Sequence, residues 1–231
     1  DKGIFGFGGW SPNQIAETNL VSNAGVVGTD VTGVGTARFA LAACGYGEDK
    51  GIFGFGGSYD SMTNLVSNAG VVATDTTGVG TARRGLAACE YGGDKGIFGF
   101  GYDGSDASMT NLVSNVGVVA TDVTGVGTAR SWLAACGYGY DKGIFSFGGP
   151  TPVTNLVSNV GVVATDVTQV GTARVDVAAT QYGYDKGIFG YGNTGSGQSS
   201  ISNKVSNAGV VATDTTGVGT ARDAPAACSF N

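Results

Sequence analysis

The side chains of this chain best suited to contact another molecule sit where otherwise repeated segments differ. Trp10, Phe39, Tyr59, Tyr102 and Trp132 stand among Asp60, Asp103, Asp106 and Asp176, together with Arg84, a base outside the repeated positions. A flat aromatic face beside carboxylates offers stacking for an apolar surface and acceptors for hydroxyl groups, which is what sugar recognition needs. Catalysis has less to work with. The chain holds no histidine, so Ser-His and Cys-His nucleophiles are excluded. Asp103 and Asp106 share a loop and leave paired carboxylates open, but nothing else supports them. No enzyme and no cofactor are expected.

Metal chemistry is equally sparse. Cys44, Cys89, Cys136 and Cys228 occupy one repeated position, with Thr180 in the fifth copy. Equivalent positions around a ring lie at one height but rotated apart, and a disulfide needs Cα atoms within about 7 Å. Buried free thiols are expected instead. Without a CxxC pair or a histidine, zinc is the weaker reading. The Tyr102–Asp106 loop is rich in oxygen ligands, yet it lacks the alternating carboxylates and closing glutamate of an EF-hand. An ordinary solvated loop is favoured there over a calcium site, and no metal is expected. The Gly-Val-Gly-Thr segments follow no Rossmann pattern and precede no helix, so phosphate is not expected.

The elements that must position these residues are repeats. Asp-Lys-Gly-Ile-Phe begins at Asp1, Asp49, Asp94, Asp141 and Asp185, a period of about 45 residues. Each copy reads as an inner strand such as Leu41–Cys44, a glycine turn, and Lys50–Gly56, where a period of two puts Phe53 and Phe55 on one face. Ile52 shares the other face with glycines, where a neighbouring sheet can approach closely. Thr-Asn-Leu-Val-Ser-Asn follows as a third strand, and Val71–Asp75 with its equivalents as a fourth. Four short strands per unit predict an all-β fold: a five-bladed β-propeller of four-stranded antiparallel blades, one domain over residues 1–231. The fifth unit is split between the termini. The ring is expected to close by pairing of strand 2–8 with strand 224–230 in one blade.

Charge separates by repeat position. The repeated Asp, Lys and Arg cancel, so the net charge of −6 arises wholly from positions that vary between units. An acidic variable surface argues against nucleic acid. The symmetric Asp and Arg are read as clamps between blades. No apolar run approaches the roughly 18 residues of a membrane span, so no insertion is expected. With neither signal peptide nor initiator methionine, a processed product, a fragment or an engineered chain is expected.

Arg-x-x-Leu-Ala-Ala followed by Gly-Ile-Phe-Gly-Phe-Gly-Gly resembles the kelch repeat. The di-glycine stands at Gly8-Gly9, Gly56-Gly57 and Gly148-Gly149, and is replaced at Gly101-Tyr102 and Gly192-Asn193; the family's strand-four tryptophan is absent. The resemblance implies a propeller. The near-identical units are also similar to kelch-like repeats in virus-encoded structural proteins, which implies an extracellular or virion-associated location.

In such blades the loop after strand two and the connection into strand one emerge on one face. That face carries the five variable loops (9–17, 57–62, 102–109, 149–153 and 193–201) and the pairs after each repeat arginine, Phe39-Ala40, Arg84-Gly85, Ser131-Trp132, Val175-Asp176 and Asp223-Ala224. The expected ligand-binding residues are therefore Trp10, Phe39, Tyr59, Asp60, Arg84, Tyr102, Asp103, Asp106, Trp132 and Asp176. The chain reads as a binding module for a glycan or a host-surface receptor. The alternative is a structural subunit of a virion or extracellular fibre, whose partners are copies of itself or other structural subunits.

Overall fold

Glycine-rich, β-branched and aromatic segments bounded by tight turns favour strands, and the computed structural model is built from strands alone. It describes residues 2–150, 152–168 and 171–229, among which no helix occurs. The first unit has two strands, β1 (Gly3–Gly8) and β2 (Ile15–Val21). The second has β3 (Ala42–Tyr46), β4 (Lys50–Gly56) and β5 (Asp60–Val66). The third has β6 (Ala87–Tyr91), β7 (Lys95–Tyr102) and β8 (Asp106–Val113); the fourth has β9 (Ala134–Tyr138), β10 (Lys142–Ser146), β11 (Val153–Val157) and the short β12 (Val167–Thr168). The last has β13 (Ala178–Tyr182), β14 (Lys186–Gly190) and β15 (Ser202–Val205). These form five separate antiparallel sheets of two to four strands.

Within a unit, the hairpin from β3 to β4 turns through Gly47 and Glu48, with φ of 57° and 69°, the left-handed pair that matches strand twist. Cys44 then lies opposite Ile52, and Phe53 opposite Asn64. One expectation is corrected here. The β4–β5 register shifts between Gly54 and Gly56, and Phe55 between them has φ 64°. A one-residue irregularity moves the next side chain to the opposite face. Phe53 therefore packs on Phe7 of the first unit, while Phe55 packs on Phe98 of the third.

The fourth strand also differs from expectation. In most units it shrinks to isolated bridges such as Val66↔Val72 and Thr63↔Thr76. Between those bridges the Asn64 side-chain amide takes the Ala73 carbonyl and the Asp75 carboxylate. A side chain thus occupies a backbone acceptor that an extended ladder would use.

The core lies between units. One cluster joins Tyr46, Ile52 and Phe55 to Leu86, Phe98 and Val113 of the next unit, and the pattern recurs down the chain. The glycine face does admit a close neighbour: a Cβ on Gly54 would lie 2.7 Å from Phe98 Cζ. First strands pack in succession, β3 on β6, β6 on β9 and β9 on β13.

The closing pair between 2–8 and 224–230 is not formed among the described residues. β1 pairs with β2 alone, and 224–229 carry no strand; Phe230 and Asp1 lie outside the described residues. The physical reason shows at Gly190. Its equivalents Gly6, Gly54 and Gly99 each face a phenylalanine of the following unit, but Gly190 has nothing within 4 Å of a Cβ.

Candidate functional site

The variable pairs are aligned by the backbone. Ala40, Gly85, Trp132, Asp176 and Ala224 all adopt left-handed φ, between 46° and 60°. Non-glycine residues hold that conformation only where their surroundings compel it. Here a column of hydrogen bonds does so, one per unit. The amides of Gly85, Trp132, Asp176 and Ala224 donate to the carbonyls of Ala40, Gly85, Trp132 and Asp176, at 2.7–3.0 Å. The loops after the second strands are tied to the same column. Arg84 and Tyr102 exchange backbone hydrogen bonds, and the Gly57 amide donates to the Phe39 carbonyl.

This arrangement gathers four of the expected residues. The Arg84 guanidinium lies 5.0 Å from the Tyr59 ring centroid, 5.8 Å from Phe39 and 6.0 Å from Tyr102. Tyr59 and Tyr102 are themselves 6.2 Å apart, tilted by 32°. No described residue accepts a hydrogen bond from the Arg84 side chain, and its Nε is buried without a partner. A cavity of about 340 Å³ opens beside Tyr59, with Asp60, Ser61, Asp75 and Thr77 on its walls. Next along the column, the Trp132 ring covers Gly85 at about 3.1 Å from where a Cβ would sit.

The remaining expected residues are not part of this cluster. Trp10 is 74% exposed and Asn13 caps its carbonyl, with no ring partner among the described residues. Asp103 accepts from the Ser105 amide and hydroxyl, and Asp106 accepts from the Ser131 hydroxyl at 2.7 Å. Asp103 is thus engaged in shaping its own loop, and Asp106 in tying that loop to the connection after Arg130. Asp176 has its carboxyl pKa raised, first by burial and then by the charge of Asp223.

The repeated charges form ion-pair clamps between units at Arg38, Arg83 and Arg174, three of the five expected positions, with a member the sequence reading passed over. Arg83 donates through Nη2 to Asn111 Oδ1 at 2.6 Å and stands 3.8 Å from Asp122. Asp122 in turn accepts from the Thr81 amide and hydroxyl and from the Asn111 amide. The same set recurs at Arg38, Asn64 and Asp75, and at Arg174, Asn203 and Asp214. In the fourth unit Arg130 Nη2 and Asn155 Oδ1 each lack a partner. The missed signal was the asparagine repeated in every Asn-Leu-Val strand; its degenerate copy, Asn203-Lys204-Val205, loses the leucine but keeps the asparagine. Burial pushes the Arg83 and Arg130 guanidiniums down to about 10. Burial alone would raise Asp122, but hydrogen bonds from Thr81 and Asn111 and the charge of Arg83 hold it below its usual range.

All four cysteines are free; Cys89 and Cys136 are buried, Cys44 is half-buried and Cys228 is exposed. The expectation of four inaccessible thiols is corrected at Cys228, because no following unit covers it. Among the described residues no group of three or more His, Cys, Asp or Glu is placed to hold a metal. No family model and no curated protein matches the chain.

Proposed function

We propose that this chain is a non-enzymatic binding module that recognises carbohydrate through the edge carrying Phe39, Tyr59, Arg84 and Tyr102. The observation that carries the reading is Arg84: three aromatic rings hold its guanidinium in place, and no described residue takes its hydrogen bonds. Cation–π contact at such a site contributes about 0.5–1 kcal/mol, enough to orient the group while leaving its donors free. A sugar ring stacks on the exposed face of Tyr59, and Arg84 donates to its hydroxyl or carboxylate oxygens. Guanidinium donors favour sugars that carry a carboxylate or sulfate. The cavity beside Tyr59, with Asp60 on its wall, gives hydroxyl groups an acceptor.

In this reading the five sheets are kelch-like blades. The repeat period, the Arg-x-x-Leu-Ala-Ala and di-glycine marks, and the stacking of successive first strands support it. A glycan array probed with the labelled chain, followed by calorimetry on the best neutral and acidic hits, tests the function. Tyr59→Ala and Arg84→Ala should each weaken binding tenfold or more, whereas Ala69→Ser, in a turn between the third and fourth segments, should leave it unchanged. An array without hits, or hits indifferent to both cluster substitutions, would end the proposal.

A further inference from the structure

Each end of the stack carries half of the interface that joins every internal pair of units. Internally, the connecting arginine crosses from one unit to the next: Arg83 lies 4.4 Å over the Phe55 ring behind it and bonds Asn111 ahead of it. At the last unit the rearward half is complete, with Arg222 3.8 Å over the Tyr191 ring. Its forward half is empty. Among the described residues Arg222 donates only to the Thr220 carbonyl, and it is exposed, whereas Arg38, Arg83, Arg130 and Arg174 are at most 2% exposed.

The first unit shows the complementary half. Asn19 donates to Asp30 Oδ1 at 2.8 Å and to the Gly28 carbonyl at 3.1 Å. Asn111 makes the same two bonds, to Asp122 and the Ala120 carbonyl, at the same lengths. Asn111 also receives an arginine; among the described residues Asn19 has none, and Asp30 has no threonine such as Thr81.

The strands repeat this logic. β4, β7, β10 and β14 each carry a first strand on one edge, but that edge of β1 is open. Ala226-Ala227-Cys228 has the sequence of those first strands and is exposed without a strand partner. The vacant place is visible as a cavity of about 540 Å³, lined by Gly3, Ile4, Gly45 and Gly51, and a second of about 230 Å³ sharing Ile4, Gly45 and Gly51. In the later units a cysteine sulfur of the preceding unit fills the equivalent point. Cys44 lies at Gly96, Cys89 at Gly143 and Cys136 at Gly187, each 2.5–2.6 Å from where a Cβ would be. Gly51 has no such sulfur.

We infer that a second copy of this chain adds head to tail, residues 220–228 of one copy completing the first unit of the next. Thr220 and Arg222 engage Asn19 and Asp30 of the next copy, Ala226–Cys228 lie along the free edge of β1, and the Cys228 sulfur covers Gly51. The added surface continues the one already buried between units, which makes a second copy the matching occupant. Such strand addition uses backbone hydrogen bonds for affinity and small side chains for fit. A heterologous contact of this kind extends without limit unless its rotation closes a ring. The inference stands independently of sugar binding.

Sedimentation velocity over a dilution series reads the outcome. The wild-type chain should show a weight-average mass rising with concentration above the 22.9 kDa of one copy. Arg222→Glu blocks only the tail and Asp30→Ala only the head, so each variant alone should remain a monomer. An equimolar mixture should stop at a dimer, since one good tail meets one good head and both outer ends are blocked. Both side chains are exposed, so folding is retained, and circular dichroism confirms it. Cys228 alkylation should slow as the wild type assembles. A wild type that stays monomeric at all concentrations overturns the inference, and if its Cys228 is also protected at every dilution, the ring closes within one chain. Assembly unaffected by either variant, or a mixture that stays monomeric, equally overturns it.

Discussion

Arg83 Nη2 donates to Asn111 Oδ1 across 2.6 Å, from a guanidinium that lies 4.4 Å over the Phe55 ring of the preceding unit. One side chain therefore spans two sheets that share no strand, and it is fully buried in doing so. A buried charge whose partners are removed, or the reverse, costs about 3–5 kcal/mol. Arg83→Met should cost that much in urea denaturation, since it leaves Asn111 Oδ1 and the Phe100 and Thr81 carbonyls without their donor and Asp122 without its nearby cation. Arg222→Met, at the same repeat position but exposed, should change stability by less than about 0.5 kcal/mol. Equal losses at the two sites would show that the arginine acts within its own unit.

Close approach of the sheets makes a second contrast. A Cβ on Gly54 would meet three atoms of the Phe98 ring at 2.7–3.2 Å, and that ring is itself fixed against Phe55. Overpacking of this kind costs about 1–3 kcal/mol. Gly54→Ala should lower the melting temperature accordingly, while Gly190→Ala, with open space around it, should be neutral or slightly stabilising. A neutral Gly54→Ala would mean that the units slide apart without penalty.

These contrasts mark what the residues alone could reveal. The repeat period, the hairpin turns and the glycine face were legible because each is a local property that recurs five times. The clustering of Phe39, Tyr59, Arg84 and Tyr102 followed from strand direction, since loops two strands apart share an edge. The face of Phe55 was not legible: one left-handed residue at the bulge reverses it, and phenylalanine gives no hint of positive φ. Closure was not legible either. It depends on the angle between successive sheets, which small differences in packing at every interface accumulate. Trp10 shows the limit for the site: composition marked it as a stacking residue, but nothing in its loop brings it toward the others.

Acid should loosen the stack. Asp75, Asp122, Asp166 and Asp214 are each pulled up by burial but held below the unperturbed 3.8 by their threonine and asparagine donors and by arginine. A carboxylate with a depressed folded pKa contributes stability that is fully present above the unfolded value and is lost as pH falls through the folded one. The melting temperature should hold from neutral pH down to about 4 and then fall steeply. Asp122→Asn should be less stable than wild type at neutral pH, with the gap narrowing below that point. A gap that widens in acid would contradict the assignment.

Thiol reactivity should rank the four cysteines by their place in the stack. Burial, and after it the charge of Glu90, pushes the Cys44 thiol from 9.0 up to about 12, and burial does the same at Cys136. Burial also raises Cys89 well above its usual value. A rise of that size leaves roughly a thousandfold less thiolate, the reactive form, at a given pH. Cys44 is partly exposed, but its sulfur points at Gly96 in the next unit, so reagent reaches it poorly as well. Cys228 is exposed and has no following unit over it. In dilute protein, alkylation followed by mass spectrometry should label Cys228 within the first sampling interval, and the other three only on unfolding. Early labelling of Cys89 or Cys136 would mean that the sheets separate readily, because both sulfurs are reached only by parting two units.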